Sequence, residues 1–157
     1  MRRLLAGGLV AVLAVSSLTG CRTDAAKTKV FVTRDGKVVL EPPPREKGET
    51  ILRIENNNPA KKRMVLLELE EGQDPAALPV NDVDIVPMGE PSDLEHRGDG
   101  YRVVDKLDTL RPYYGGDQRP VSTLHTYLRE GSYVLLSNLS GDYRKGFWTS
   151  FQIGESA

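Results

Sequence analysis

Apolar residues along this chain of 157 residues gather in short runs that either alternate with polar positions or stand nearly unbroken. Val30-Phe31-Val32 is followed by a turn at Asp35-Gly36 and then by Val38-Val39-Leu40, which predicts a strand–turn–strand unit. Pro42-Pro43-Pro44 ends that unit, because proline supplies no N–H to a central ladder. Ile51, Leu52 and Ile54 mark the next strand, which closes at the turn cluster Asn56-Asn57-Asn58-Pro59. Met64 to Leu69 is almost continuously apolar, as in a strand buried within a sandwich.

Between Glu70 and Ser122 the pattern is broken by prolines at 75, 79, 87, 91, 112 and 120 and by Gly98, Gly100, Gly115 and Gly116. Short strands are expected at Val83-Asp84-Ile85-Val86 and Tyr101-Arg102-Val103-Val104, joined by long connections. No helix of more than two turns is expected there, so the βαβ alternation of a parallel sheet is absent. Leu124 to Leu128 leads through Arg129-Glu130-Gly131 into Tyr133-Val134-Leu135-Leu136, and Trp148 to Ile153 alternates as a last strand. The pattern predicts an all-β, antiparallel Greek-key sandwich of about seven or eight short strands over residues 30–157.

The first residues follow other rules. Met1-Arg2-Arg3 precedes an uncharged stretch from Leu4 to Leu18, the layout of an export signal. A permanent span needs roughly 20 apolar residues, so a retained anchor helix is the weaker reading. The stretch ends on Leu18-Thr19-Gly20-Cys21, which resembles the lipobox of bacterial lipoproteins. That resemblance implies a signal peptide over residues 1–20, cleavage before Cys21, and a diacylglyceryl group on the Cys21 thiol. Residues 21–29 then read as a lipidated tether. Two or three acyl chains, at about 0.8 kcal/mol per buried methylene, hold a protein stably where one does not. The expected location is the extracytoplasmic face of the cell membrane.

Composition narrows the function. Lysine and arginine total 21 against 22 acidic residues, so the net charge is −1 and falls to −3 once Arg2 and Arg3 are removed. That balance gives no support to a nucleic-acid partner or to a basic membrane-surface patch. Cys21 is the single cysteine, which excludes an internal disulfide and any thiolate zinc cluster.

The most specific stretch runs from Gly131 to Phe147. It resembles the C-terminal copper loop of cupredoxins, the blue copper proteins, with Gly131, Tyr133, Asn138, Gly141 and Gly146 in register. Ile54 to Leu66, with its Asn turn, resembles the family's segment leading to the first histidine ligand. The resemblance covers residues 30–70 and 120–153 and implies a cupredoxin-like sandwich, with Tyr133 as a tyrosine corner. It also implies that every copper ligand is replaced. Ser137 stands at the cysteine position, Asp142 at the second histidine, Phe147 at the axial methionine, and Lys62 or Arg63 at the first histidine. Two imidazoles and a thiolate make a blue copper site, so no metal and no other cofactor are expected.

Remaining donors offer no local metal motif. His96 reads as a solvated loop residue, His125 as the outward face of a strand, Met64 as core and Met88 as loop packing. Ser122 and Ser137 lack the context of a nucleophile elbow, so no enzymatic activity is expected. Lys61-Lys62-Arg63 reads first as a solvated loop.

Two stretches have the composition of a recognition surface: Tyr113 and Tyr114 between Pro112 and the paired glycines, and Asp142, Tyr143 and Arg144 in the former copper loop. One of the paired tyrosines covering the sandwich end is the competing reading. The sequence therefore points to a lipid-anchored binding or scaffolding module with an extracytoplasmic protein partner. The alternatives are a copper-binding or electron-transfer protein with unconventional ligands, or an accessory subunit of a membrane enzyme or transporter.

Overall fold

The computed structural model describes residues 25–79, 90–92, 94 and 98–154. The expected strand at Val83-Asp84-Ile85-Val86 lies outside the described residues, as do Cys21, Met88 and His96. Eight strands are described: β1 Ala26–Val32, β2 Val38–Glu41, β3 Gly48–Asn56, β4 Lys62–Leu69, β5 Tyr101–Leu110, β6 Val121–Leu128, β7 Gly131–Ser137 and β8 Trp148–Ile153. They form two four-stranded sheets, ordered β2-β1-β3-β6 and β5-β4-β7-β8.

Period-two alternation builds the first sheet. Along β3, Thr50, Leu52, Ile54 and Asn56 point inward while Glu49 and Arg53 face solvent. Val30, Val32, Leu52 and Ile54 meet Met64, Leu66, Tyr133, Leu135 and Phe151 across the sandwich in one core. The second sheet is buried on both faces. Val65, Leu67, Val134 and Leu136, on its outer side, pack with Leu78, Leu94, Tyr101 and Tyr143 into a second core. This double burial is why β4 and β7 read as unbroken apolar runs.

Two expectations change. The tether assigned to residues 21–29 overlaps β1, which begins at Ala26. Lys27 and Lys29 are exposed, whereas Thr28 and Val30 are buried, so the polar start of β1 is an alternating strand. The sandwich is also not wholly antiparallel. β1 runs parallel to β3, with Ala26 beside Thr50 and Val32 beside Asn56. Two reversals, through β2 and back, bring β3 to the free side of β1 in the same direction.

The turns collect at two ends. Near the start of β1 lie the loop at residues 42–47 and the β6–β7 turn, where Lys47 donates to Glu130 at 2.8 Å. At the far end, Asn56 and Asn58 tie three loops together. The Asn56 amide donates to the Ala60 and Arg111 carbonyls at 3.0 and 2.7 Å, and that of Asn58 to Thr33 and Arg34, each at 3.2 Å. The Asn turn is thus a buried clamp.

Tyr133 forms the corner expected of it. Its hydroxyl accepts from the Arg129 N–H at 2.9 Å and donates to the Arg129 carbonyl at 3.0 Å, fixing the β6–β7 turn. Its ring stacks on Phe151 with centroids 5.4 Å apart. Tyr133→Phe should keep the stacking and lose both bonds. Urea unfolding should then show a loss of about 1–3 kcal/mol at unchanged slope, and a loss below about 0.5 kcal/mol would mean the corner holds little.

Candidate functional site

Lys62 meets three residues of the distant 137–147 stretch at the far end of the sandwich. Lys62 opens β4, where the register against β5 shifts, and its side chain turns inward in phase with Met64. Arg63, one position on, turns the other way and pairs with Asp108 at 3.1 Å. Of the two candidates for the first histidine position, Lys62 is therefore the one directed into the site. Ser137 closes β7 opposite Met64. Asp142 lies on the β7–β8 loop and Phe147 ends it.

The Lys62 ammonium donates to Asp142 Oδ2 at 2.8 Å, and the Ser137 hydroxyl donates to the same oxygen at 2.6 Å. The Lys62 side chain is 3% exposed and that of Asp142 10%. The ammonium also sits 3.7 Å from the centroid of the Phe147 ring, whose negative face attracts it. A buried charge is tolerated only when paired and hydrogen-bonded, and here one carboxylate answers an ammonium and a hydroxyl.

The loop holds these groups by its backbone. Ser137 N donates to the Phe147 carbonyl at 2.8 Å, and Phe147 N donates to the Asp142 carbonyl at 3.1 Å. Gly146, at φ 89°, allows the chain to turn out of the short 3₁₀ turn Tyr143–Lys145. Gly36 closes the site from the β1–β2 turn: a Cβ there would stand 2.9 Å from the Phe147 ring, at φ +90°.

An ammonium, a hydroxyl, a carboxylate and a phenyl ring converge where the cupredoxin resemblance aligns two imidazoles, a thiolate and a thioether. This donor set does not fit copper. Among the described residues, no three His, Cys, Asp or Glu side chains gather as metal ligands would. His125 is exposed on β6 and Met64 is buried in the core.

The candidate contact residues divide by burial. Tyr114 is 82% exposed at the tip of its loop, and Arg144 is exposed. Tyr113 is half-buried: its hydroxyl donates to the Gly116 carbonyl at 2.7 Å, and Arg119 lies over its ring while pairing with Glu55. Asp142 and Tyr143, expected on the surface, are interior instead. The Tyr143 hydroxyl donates to the Pro75 carbonyl at 2.7 Å and accepts from the Leu78 N–H at 3.0 Å, so it latches the segment after β4. Its ring packs against Trp148, 6.0 Å away.

Two sheets in this order, a tyrosine corner and an Asn turn beside the β7–β8 loop make the domain a cupredoxin-like β-sandwich. No protein-family model matches the sequence, and no curated protein matches it. Among solved structures, the Na-dithionite reduced auracyanin of the photosynthetic bacterium Roseiflexus castenholzii has the same fold. It superposes with a TM-score of 0.57 at 14% identity, over 83% of this chain and 98% of its own. The multi-copper oxidase of Pediococcus acidilactici gives a TM-score of 0.40 at 12% identity, over 99% of this chain but only 31% of the oxidase. At 14% identity the likeness to auracyanin is one of fold.

Breaking the buried pair on one side leaves an unanswered charge. Lys62→Met or Asp142→Asn should each cost about 3–5 kcal/mol in urea unfolding, and the double variant should recover most of it. Additive losses would show that the two charges are not coupled.

Alkaline pH reads the buried tyrosines. Burial pushes the phenols of Tyr133 and Tyr143 above the ordinary value of 10.0. As pH rises past that value, the unfolded chain releases these protons first and binds fewer than the folded one, so stability falls. The contribution is intact below that value and is lost as pH rises through the folded pKa. Tyr143→Phe should flatten the fall in Tm between about pH 9 and 11, and an unchanged slope would remove Tyr143 from the account.

Proposed function

We propose that this protein is a lipoprotein, held through Cys21 at the extracytoplasmic face of the membrane, whose cupredoxin-like domain works without copper as a protein-binding module. The observation that carries the reading is the Lys62–Asp142–Ser137 cluster against Phe147. An internal cation and its carboxylate fill the place where the family's motif would set a metal and its ligands. The anchor is supported by the lipobox-like Leu18-Thr19-Gly20-Cys21. No helix among the described residues is long and apolar enough to cross a membrane.

The binding role rests on the far end. Tyr114 stands exposed on a loop whose base is fixed by Asn56, Asn58 and the half-buried Tyr113. An aromatic side chain on a braced loop loses little freedom when it is covered, which suits it to recognition. Arg144 is the other exposed candidate, on the β7–β8 loop at the same end.

Copper separates this reading from the copper-handling alternative. A ligand of the folded state raises Tm with its concentration. The protein purified without chelators should contain no stoichiometric copper, and added Cu(II) or Cu(I) should leave its Tm unchanged. Stoichiometric copper, or a Tm that rises with copper, would overturn the reading.

A further inference from the structure

The outer faces of the two sheets are treated differently. That of the second sheet is covered by the chain after β4, through Leu78, Leu94 and Tyr143. On the outer face of the first sheet no described segment forms a comparable layer. The strand register reads off what lies there: Tyr127 beside Glu49, Ile51 between Lys27 and His125, and Arg53 between Lys29 and Thr123. Tyr127 is 61% exposed, Val121 is exposed at the far end of the same strand, and Ile51, Phe31 and Val39 are half-buried. The same face carries Glu41 beside Lys29, Glu49 beside Tyr127, and Glu55, which pairs with Arg119, so its charges are mixed in sign. Aromatic and aliphatic side chains set among long charged ones are the composition of a surface at a lipid–water boundary.

Where the chain leaves the fold identifies the occupant. Ala25, the residue before β1, lines a shallow groove with Ile51, His125 and Tyr127. Ala25, the first described residue, thus lies against this face. Only residues 22–25 separate Cys21 from β1, so even fully extended the acylated residue lies within about 17 Å of Ala26. The opposite end of β3 is about 26 Å away along the strand from Gly48.

We propose that the outer face of the first sheet, centred on Tyr127, Ile51 and His125, rests in the headgroup layer of the bilayer that holds the acylated Cys21. This rests on the lipid-anchor reading and adds to it a docking face and an orientation. Tyrosine hydroxyls reach water from that depth, and Lys27, Lys29 and Arg53 keep their charges among the headgroups. The chain itself supplies the affinity through its acyl groups, so the face needs only weak attraction to be held down.

The test uses the unsubstituted, acylated chain in phosphatidylethanolamine–phosphatidylglycerol vesicles, treated with a tyrosine-directed reagent and read by mass spectrometry. Exposures of 61% for Tyr127 and 82% for Tyr114 would label the two comparably in the free domain. Seated on the bilayer, Tyr127 should be labelled roughly fivefold less than Tyr114, as expected of a side chain sunk ~5–10 Å into the interface. The shielding should persist when vesicles outnumber protein molecules. Comparable labelling in chains that stay on the vesicles would overturn the seating and leave the anchor reading standing. Shielding that disappears on dilution would mean that a second copy covers the face, which also overturns it. Chains that wash off the vesicles would overturn the anchor reading itself, and this inference with it.

Discussion

The pairing of Lys62 with Asp142 is the constraint around which the far end of the molecule is arranged. Neither charge could remain in that place alone, because each has been taken out of water and depends on the other for its solvation. The pair joins the start of β4 to the β7–β8 loop. Ser137 adds the end of β7, and Phe147 brings in the β1–β2 turn through its contact with Gly36. A metal centre joins separate segments by bonds from each to one ion. Here an ammonium, a carboxylate and a ring link the same segments through their side chains.

Well-packed apolar residues of similar volume would often be as stabilising as a buried ion pair. What a pair with one acceptor oxygen shared between two donors supplies is direction. The ammonium must lie within hydrogen-bond reach of Oδ2 and over the ring at once, and few backbone arrangements satisfy both. The loop that would otherwise wander from Asn138 to Phe147 is thereby fixed, and with it the latch from Tyr143 to Pro75 and Leu78. The second core depends on that latch, since Tyr143 closes the cluster containing Leu78 and Trp148.

Most of the sandwich was legible because its strands obey simple periods. Trp148 to Ile153 alternates and is a strand over those same residues, and the unbroken run from Met64 reflects burial on both faces. β1 was cut short because Lys27 and Lys29 look like a solvated tether, although the period that buries Thr28 and Val30 already runs through them. The site was legible as a set of positions but not as a contact. Lys62 in a Lys-Lys-Arg run reads as a solvated cation, yet counting back two from the core residue Met64 puts it inside and Arg63 outside. For Tyr143 the local sequence held no such clue. Its partners, Pro75 and Leu78, lie more than sixty residues away, and only the folding of the chain after β4 onto the second sheet brings them to it.

The unequal faces of the two sheets bear on how the far end is displayed. A sandwich standing on its end would hold the Tyr114 loop away from the membrane, facing soluble partners. A sandwich lying on its first sheet has β1 and β3 running along the membrane plane, because the covering face contains both strands. The far-end loops then open sideways, at a height set by the thickness of the domain and not by its length. A partner anchored in the same bilayer meets such a surface by lateral diffusion, with both surfaces confined to a thin layer that raises their effective concentration. On the proposed attachment at Cys21, only four residues would link the lipid to β1, and so short a link would limit how far the domain could rise and turn over. If the proposed anchor and seating hold, the uncovered sheet and the braced aromatic loop would form one arrangement, and a partner itself held at the membrane would be best placed for recognition.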